Sequence, residues 1–439
     1  MMSKKVCMFV WNHFTNDARV LRSCSALSES GYDVSLVAIH DWKNEVLPKR
    51  EQHKNGFRVI RVNNRSTALN KVLRGFRQLK KRKIELLVLF LLILNILASL
   101  RVITTLLQAA LCTSVILIAA LAAFIMTKTK LPTMMVRAHI FTQMVREGRK
   151  QKFDYYHSND LNTLMQGVLS AKLFRRRKLI YDSHEVQTSR TGYNSKMYGI
   201  MEKFLLGFVD EMIAENHTRA KYNEELYGIY PNVVHNYPIP QKPEQSSSVN
   251  LHDMLGLPRE EPILLYQGGI QTGRGLEKII EAVPLMKRGT VVFIGDGRIK
   301  PLLENMVHER NLGDRVKFIP KVPVDELLHY TRNAYLGFQV LNNVCFNHYS
   351  ASSNKLFEYM MSGVPVVACS FPEIQKVVEQ ENIGVCVDSH EPASIAEGVN
   401  YLLEHPMERE AMSSNCLEAR HNYNWLKEKE IFIEIYETA

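Results

Sequence analysis

Apolar residues fall along this chain in short unbroken runs, separated by stretches with helical spacing. "VCMFVW" (6–11), "DVSLVAI" (33–39), "FRVIRV" (57–62), "FDYYHS" (153–158), "KLIYDS" (178–183), "EMIAEN" (211–216) and "NVVHN" (232–236) read as strands. Between them, "DARVLRSCSALSESG" (17–31) reads as an amphipathic helix stopped at Gly31, and a second helix is predicted from about Leu161 to Leu173. Strand–helix–strand units of this length predict a parallel, doubly wound sheet with ligands at the carboxyl ends of its strands. The pattern breaks at "NYPIPQKPEQSSSVN" (236–250), where three prolines and three serines mark a linker. A second series follows: "PILLYQGG", "TVVFIGDG", "RVKFIP", "YLGFQV", "VPVVACS" and "IGVCVD", with helices between and a final amphipathic helix over 423–439. The predicted fold is α/β, with two doubly wound Rossmann-like domains, 1–235 and 251–422, facing a cleft.

One segment does not fit that alternation. Residues 71–83, "KVLRGFRQLKKRK", carry seven basic side chains and no acid. The following 43 residues, 84–126, contain only Glu85 and Arg101 as charged groups, and "TKTK" closes the stretch. A spanning helix needs about 20 apolar residues. The insert, 66–130, is therefore expected to hold a basic run and a hydrophobic helical hairpin that turns near Ser99–Arg101. Basic flanks at both ends keep both ends on the cytoplasmic side, with the basic run on anionic headgroups. Full spanning and re-entry stay open, because Asn95 and Arg101 need partners or water at depth. A buried helical pair in a soluble domain is the alternative.

Bulk composition narrows the class. With 439 residues, 46% apolar and 23% charged, the chain is globular and exceeds the size of one core. Its seven cysteines show no CxxC and no paired spacing, which argues against a disulfide framework or a zinc site and for a reducing compartment. The apolar run after the N-terminal "MMSKK" is too short for a signal peptide.

Three segments of the second domain place polar chemistry at strand ends. "QGGIQTGRGLEK" (267–278) joins a strand to a helix starting near Leu276. A glycine-rich turn with Arg274 beside a helix N-terminus suits a phosphate, and equally a plain turn with a solvated arginine. "FIGDG" (293–297) sets Gly295 and Gly297 at a second such junction. "SSNKLFEYMMSG" (352–363) is a short helix with Glu358 among Leu356, Phe357 and Met361, where a carboxylate needs a partner such as a ligand hydroxyl. In the first domain Asp17 is either a helix cap or an acceptor-facing carboxylate. His157, Asp160, His184 and Glu185 follow strand ends and are expected to rim the cleft.

The ordered set "YQGGIQTGRGLEKIIEA", "VVFIGDG", "NKLFEYMMSGVPVVA", "FPEIQKVVE" and "GVCVDSHEPASIAEGVNYLLEHP" resembles the C-terminal domain of glycosyltransferase family 4, retaining enzymes of the GT-B fold. "NDARVLRSCSALSESGYDVSLVA", "YDSHE" and "VVHN" are similar to its N-terminal landmarks, so the resemblance covers nearly the whole chain except 66–130. It implies a nucleotide sugar on the C-terminal domain, an acceptor on the N-terminal one, transfer with retention, no metal and no cofactor beyond the co-substrate. It implies donor contacts from Gly268, Gly269, Arg274, Gly295, Gly297, Asn354, Lys355 and Glu358. Glu358, Arg274 and His157 are the catalytic candidates, and Asp17, Asp160, His184 and Glu185 line the acceptor side; a histidine at these strand ends, His157 or His184, either hydrogen-bonds the transferred sugar or is structural. Glu358 matches the second glutamate of the family's two-glutamate motif; the first falls on Ser350, and Gly269 stands where an arginine is usual.

With the insert, the resemblance implies a hexosyl-type transferase at the cytoplasmic face of the cell membrane. Its expected partners are a nucleotide sugar, a lipid-linked or other membrane-proximal glycan and anionic lipids, with no nucleic acid. The alternatives are a non-catalytic membrane protein of the same fold that binds nucleotide sugars, and a nucleotide-sugar 2-epimerase.

Overall fold

The computed structural model describes residues 3–44, 46–81, 93, 114, 130–189, 196–240, 249–323 and 326–439. The expected hairpin, 84–126, lies outside the described residues apart from positions 93 and 114. Among the described residues no helix is long and apolar enough to cross a membrane. The chain forms two compact units, Met1–Asp17 with Leu27–Leu179, and Ala18–Ala26 with Ile180–Ala439.

The first unit contains β1 (Lys5–Phe9), the end of α1 (Ala18–Glu29), β2 (Asp33–His40), β3 (Arg50–Gln52), β4 (Arg58–Asn63), α2 (Thr67–Lys81), α3 (Leu131–Arg149), β5 (Tyr155–Asn159) and α4 (Leu161–Ala171). Its strands lie in the order β3-β4-β2-β1-β5. All pairs are parallel except β3 with β4. Val6 to Phe9 are fully buried, as an unbroken apolar run in a two-faced sheet requires. Strand β3, "REQ", is polar and short, and nothing in its sequence predicts it; it forms because Arg50–Gln52 pairs with Arg58–Ile60 at the sheet edge. A groove of about 490 Å³ between this edge and α3 is lined by residues including Arg50, Arg58, Glu147 and Lys150, and holds none of the candidate site residues.

His157 differs from the expectation of a strand-end residue. It is the middle residue of β5 and has no exposed surface. Asp160 does follow the strand and sits before α4 with φ +62° and ψ 162°, a conformation that side chains rarely adopt. Asp17 accepts a hydrogen bond from Asn12 Nδ2 (2.7 Å).

The second unit begins with β6 (Lys178–Ser183), α5 (Lys196–Leu206), β7 (Glu211–Ala214), α6 (His217–Tyr227) and β8 (Asn232–Val233). β7 pairs in parallel with both β6 and β8. Then follow α7 (Leu251–Leu255), β9 (Ile263–Gln267), α8 (Leu276–Ala282), β10 (Thr290–Ile294), α9 (Lys300–Glu309), β11 (Val316–Ile319), α10 (Leu327–Thr331) and β12 (Leu336–Gln339). The chain closes with α11 (Phe346–Tyr349), α12 (Asn354–Met361), β13 (Val366–Cys369), α13 (Pro372–Gln380), β14 (Gly384–Val387), α14 (Pro392–Glu404), α15 (Pro406–Ala419) and α16 (Trp425–Thr438). Six strands form a parallel sheet in the order β11-β10-β9-β12-β13-β14, with a buried apolar cluster on each face. All six predicted strands of this region are present. The described part of the expected linker is packed and not free: Tyr237 is buried against Phe357, and Trp425 N–H donates to the Pro238 carbonyl (3.0 Å).

Candidate functional site

The residues with chemistry gather where β9 ends. Gly268, with φ +119°, turns the chain out of the sheet. The turn is held from both sides: Gly268 N–H donates to the Ile294 carbonyl (2.9 Å), Ile270 N–H to the Asp296 carbonyl (3.0 Å), and the Tyr266 hydroxyl to the Gly269 carbonyl (2.9 Å). A β-carbon on Gly295 would lie 1.9 Å from the Gly268 carbonyl oxygen, and one on Gly297 would lie 2.0 Å from that of Ile270. These two glycines therefore let the loop after β10 press against the first turn. Close packing of the protein on itself accounts for them without a ligand. Gly269 is different: it is exposed, and the nearest atom to a β-carbon there is 3.7 Å away within its own turn.

Helix α12 is laid across this turn. Lys355, one of the donor contacts implied by the resemblance, is 8% exposed, not a solvated helix residue. Its side chain runs along Gly268, and its Nζ lies 5.4 Å from the centre of the Tyr266 ring. Burial first, then the nearby Arg274 guanidinium, push the Lys355 ammonium down to about 7, against the pull of Glu358. Asn354, the first residue of α12, is exposed. One turn on, Glu358 is half-buried and accepts a hydrogen bond from Gln267 Nε2 (2.7 Å). Burial raises the Glu358 carboxyl above its usual range, although Gln267, Lys355 and Arg22 favour its charged form. Gln267 is fully buried, and its Oε1 accepts from the Thr331 hydroxyl (2.7 Å). Sequence reasoning passed over Gln267, the last residue of a strand.

His348 closes the other side of the turn. A β-carbon on Gly273 would lie 2.7 Å from its ring, and burial followed by Arg274 holds it below the usual histidine range. This histidine belongs to 342–353, which reads as an irregular loop but contains the helical turn α11. Two cations, a neutral-leaning imidazole and one carboxylate thus surround an open glycine turn. No carboxylate pairs with Arg274 among the described residues. The arrangement is suited to a polyanion with a hydroxyl-bearing group beside it.

The strand ends of β6 and β7 are tied to the same loop. Buried Arg219 donates to the His184 carbonyl (2.6 Å), the Asn347 carbonyl (3.2 Å) and the Ser350 hydroxyl (3.3 Å), and pairs with Glu215. Asn347 makes paired hydrogen bonds with the backbone of Val186 (2.8 and 3.0 Å). His184 Nε2 lies 3.3 Å from Asp182, which Arg19 holds through two bonds (2.7 and 2.9 Å). Burial opposes ionisation of Asp182, but Arg19 and His184 outweigh it and hold the carboxyl far below its usual range. Glu185 follows, half-buried, its carbonyl accepting from Ser183 and Gln187. Arg19 and Arg219 carry no sequence signal that singles them out; Asp182 lies within "YDSHE" without an assigned role. His157, Asp160 and Asp17 belong to the first compact unit and are not among this group.

Residues 249–418, from before α7 to near the end of α15, match the family model of glycosyl transferases group 1. The match spans 170 of the 439 residues, and over that region the chain is similar to a group 1 glycosyl transferase domain. A D-inositol 3-phosphate glycosyltransferase of Xylanimonas cellulosilytica is 25% identical over 254 residues, 55% of this chain and 60% of that protein. An alpha-D-kanosaminyltransferase of Streptomyces kanamyceticus is 30% identical over 186 residues, 39% of this chain and 44% of that protein. The chain thus spans no more than 60% of the length of either relative.

Among solved structures, sucrose-phosphate synthase from Thermosynechococcus elongatus superposes with a TM-score of 0.70 at 16% identity, covering 99% of this chain and 98% of that one. Anabaena HepE in complex with UDP-glucose gives 0.67 at 13% identity, covering 99% and 100%. The likeness establishes the α/β GT-B fold with parallel-sheet, Rossmann-like domains. Within the group 1 domain, Ser350 is fully buried, and its hydroxyl also donates to the Phe346 carbonyl (2.8 Å). The position where the family motif has its first glutamate is here a buried contact with Arg219.

Proposed function

We propose that the protein is a retaining glycosyltransferase. It takes a sugar from a nucleotide donor held on the Gly268–Arg274 turn and α12, and passes it, without a metal, to a lipid-linked or otherwise membrane-proximal glycan. The observation that carries this reading is the meeting of Arg274, Lys355 and Glu358 around an open glycine turn inside a group 1 domain. Arg274 and Lys355 neutralise the diphosphate and favour its departure. Glu358, fixed by Gln267, accepts from the ribose hydroxyls. His184, oriented by Asp182, faces the sugar. Because relatives and neighbours include inositol-phosphate transferases and a UDP-glucose complex, a UDP-sugar is the first donor to test. The apolar stretch 84–126 supports a site at the cytoplasmic face of the cell membrane.

A thermal-shift screen of nucleotide sugars on the purified full chain is expected to find one that raises Tm, with slow release of the nucleoside diphosphate. Binding without release points to a non-catalytic protein, and no binding by any donor overturns the proposal. The form lacking 84–126 should become extractable by alkaline carbonate, which strips peripheral contacts; resistance to carbonate without that segment removes its anchoring role.

Lys355 gives the site a pH signature. The diphosphate is fully ionised above pH 7, since phosphate has a second pKa of about 6. The protonated lysine, which the diphosphate needs, is lost as pH rises through about 7. Nucleoside diphosphate affinity should therefore fall between pH 7 and 9, approaching tenfold per unit, and Lys355→Met should flatten that slope. Equal slopes by titration calorimetry would remove Lys355 from the phosphates.

A further inference from the structure

Helix α5 is amphipathic in the reverse sense for a helix covering a sheet. Its one acidic residue, Glu202, is 1% exposed and accepts hydrogen bonds from the hydroxyls of Tyr181 (2.5 Å) and Tyr227 (2.7 Å). Leu205 and Leu206 are buried on the same side. Opposite them, Ile200, Met201 and Phe204 are 65%, 37% and 66% exposed, and Phe208, just past the end of the helix, is 40% exposed. With 3.6 residues per turn, the first three share an arc of about 100°. The Phe204 and Phe208 rings meet edge to face with centroids 5.6 Å apart. The charged residue beside this face is Lys203, which is exposed, while the only carboxylate of the helix is turned inwards. A helix facing water normally shows its charge and hides its rings; contiguous exposed apolar surface marks an interaction site.

We infer that this face of α5 rests in the boundary between headgroups and acyl chains of a lipid bilayer. Three observations select that occupant over a protein. Four side chains of this size offer on the order of 400 Å², about half of what each partner buries in a standard interface. A bilayer sets no such threshold, because each buried apolar group adds to partitioning. Next, the helical part of the face has a lysine at its rim and no carboxylate on it, Asp210 lying beyond Phe208, in a chain of net charge +10, which complements anionic headgroups. Last, the same chain carries the 43-residue apolar stretch 84–126 with basic flanks, a composition whose proposed membrane role would bring α5 to a bilayer. The inference does not rest on sugar transfer. It adds a second point of contact that lies along the surface and fixes how this unit is held against the membrane.

A spanning hairpin would retain the chain on membranes whatever α5 does, so the test reads depth at α5 itself. Full-length Phe204→Trp protein is reconstituted into vesicles of two parts phosphatidylcholine and one part phosphatidylglycerol, with plain or brominated acyl chains, and compared with the unsubstituted protein. The added fluorescence is expected to lie to the blue of an exposed indole and to be quenched by the brominated lipid; Ile200→Trp should behave alike. Emission typical of water, quenched by acrylamide and untouched by bromine, overturns the inference. A blue emission indifferent to brominated lipid also overturns it, and would assign the face to a protein partner or a second copy.

Discussion

Glu358→Ala is expected to lower kcat/KM for the nucleotide sugar by about 10²–10³-fold. A hydrogen bond to a charged acceptor contributes roughly 1.5–3 kcal/mol, so the proposed contact with two ribose hydroxyls would place about 3–6 kcal/mol on this carboxylate, of which the lower half is expected where water replaces the lost partner. Every 1.4 kcal/mol is tenfold. The fold should survive the change, because two effects on stability oppose one another. Gln267 Nε2 loses its acceptor in a buried position, which costs about 1–3 kcal/mol. The substitution also removes a carboxyl that burial already pushes above its usual range. If ribose binding is uniform through the reaction, the loss falls on KM; if Glu358 acts mainly in the transition state, it falls on kcat. Glu358→Gln, which keeps an oxygen for Gln267, should fall between the alanine variant and the native enzyme. An alanine variant that transfers sugar at the native rate with native KM would end the assignment.

Gly295→Ala is expected to be the most damaging single methyl in the group 1 domain. The new carbon would meet the Gly268 carbonyl oxygen at 1.9 Å, at a backbone φ of +151°. Overpacking a tight contact costs about 1–3 kcal/mol and the positive φ about 1–2 more. For a unit of this size the sum, about 2–5 kcal/mol, lowers Tm by roughly 10 °C. The second consequence is local. Relief that moves the turn carrying Arg274 would lower donor affinity together with Tm. Gly269→Ala, where the space is open, is the control and should leave Tm within about 2 °C. A Gly295→Ala protein that melts normally and binds donor normally would contradict the packing described.

The parallel sheet of the second unit was legible because its strands are buried on both faces and so read as unbroken apolar runs, of which "ILLYQ" is the clearest. β3 was not legible, since its three polar residues are strand only by virtue of a partner. Glu358 and Arg274 stand out locally, one as a carboxylate in apolar company and the other as a cation among glycines. Their supports do not. Gln267 lies 91 residues from Glu358, Arg219 lies 131 from Ser350, and Arg19 lies 163 from Asp182. An arginine on a helix looks solvated until the chain that passes over it is known. His157 illustrates the converse: "YYHSND" suggests a histidine at a strand exit, but the strand runs two residues past it, through Asn159.

A buried amide has two unlike ends, and in Gln267 each end is committed. Its oxygen faces the Thr331 hydroxyl (2.7 Å), whose single proton is shared with the Leu327 carbonyl (2.9 Å), and its nitrogen gives a proton to Glu358. The polarity of the whole row is thereby set from the sheet outwards. The oxygen of Glu358 that faces Gln267 remains an acceptor whether the carboxyl is charged or neutral, so any proton that Glu358 takes up must sit on the other oxygen. That oxygen alone changes from acceptor to donor with pH, and a hydroxyl-bearing ligand would sense the protonation of the site through it.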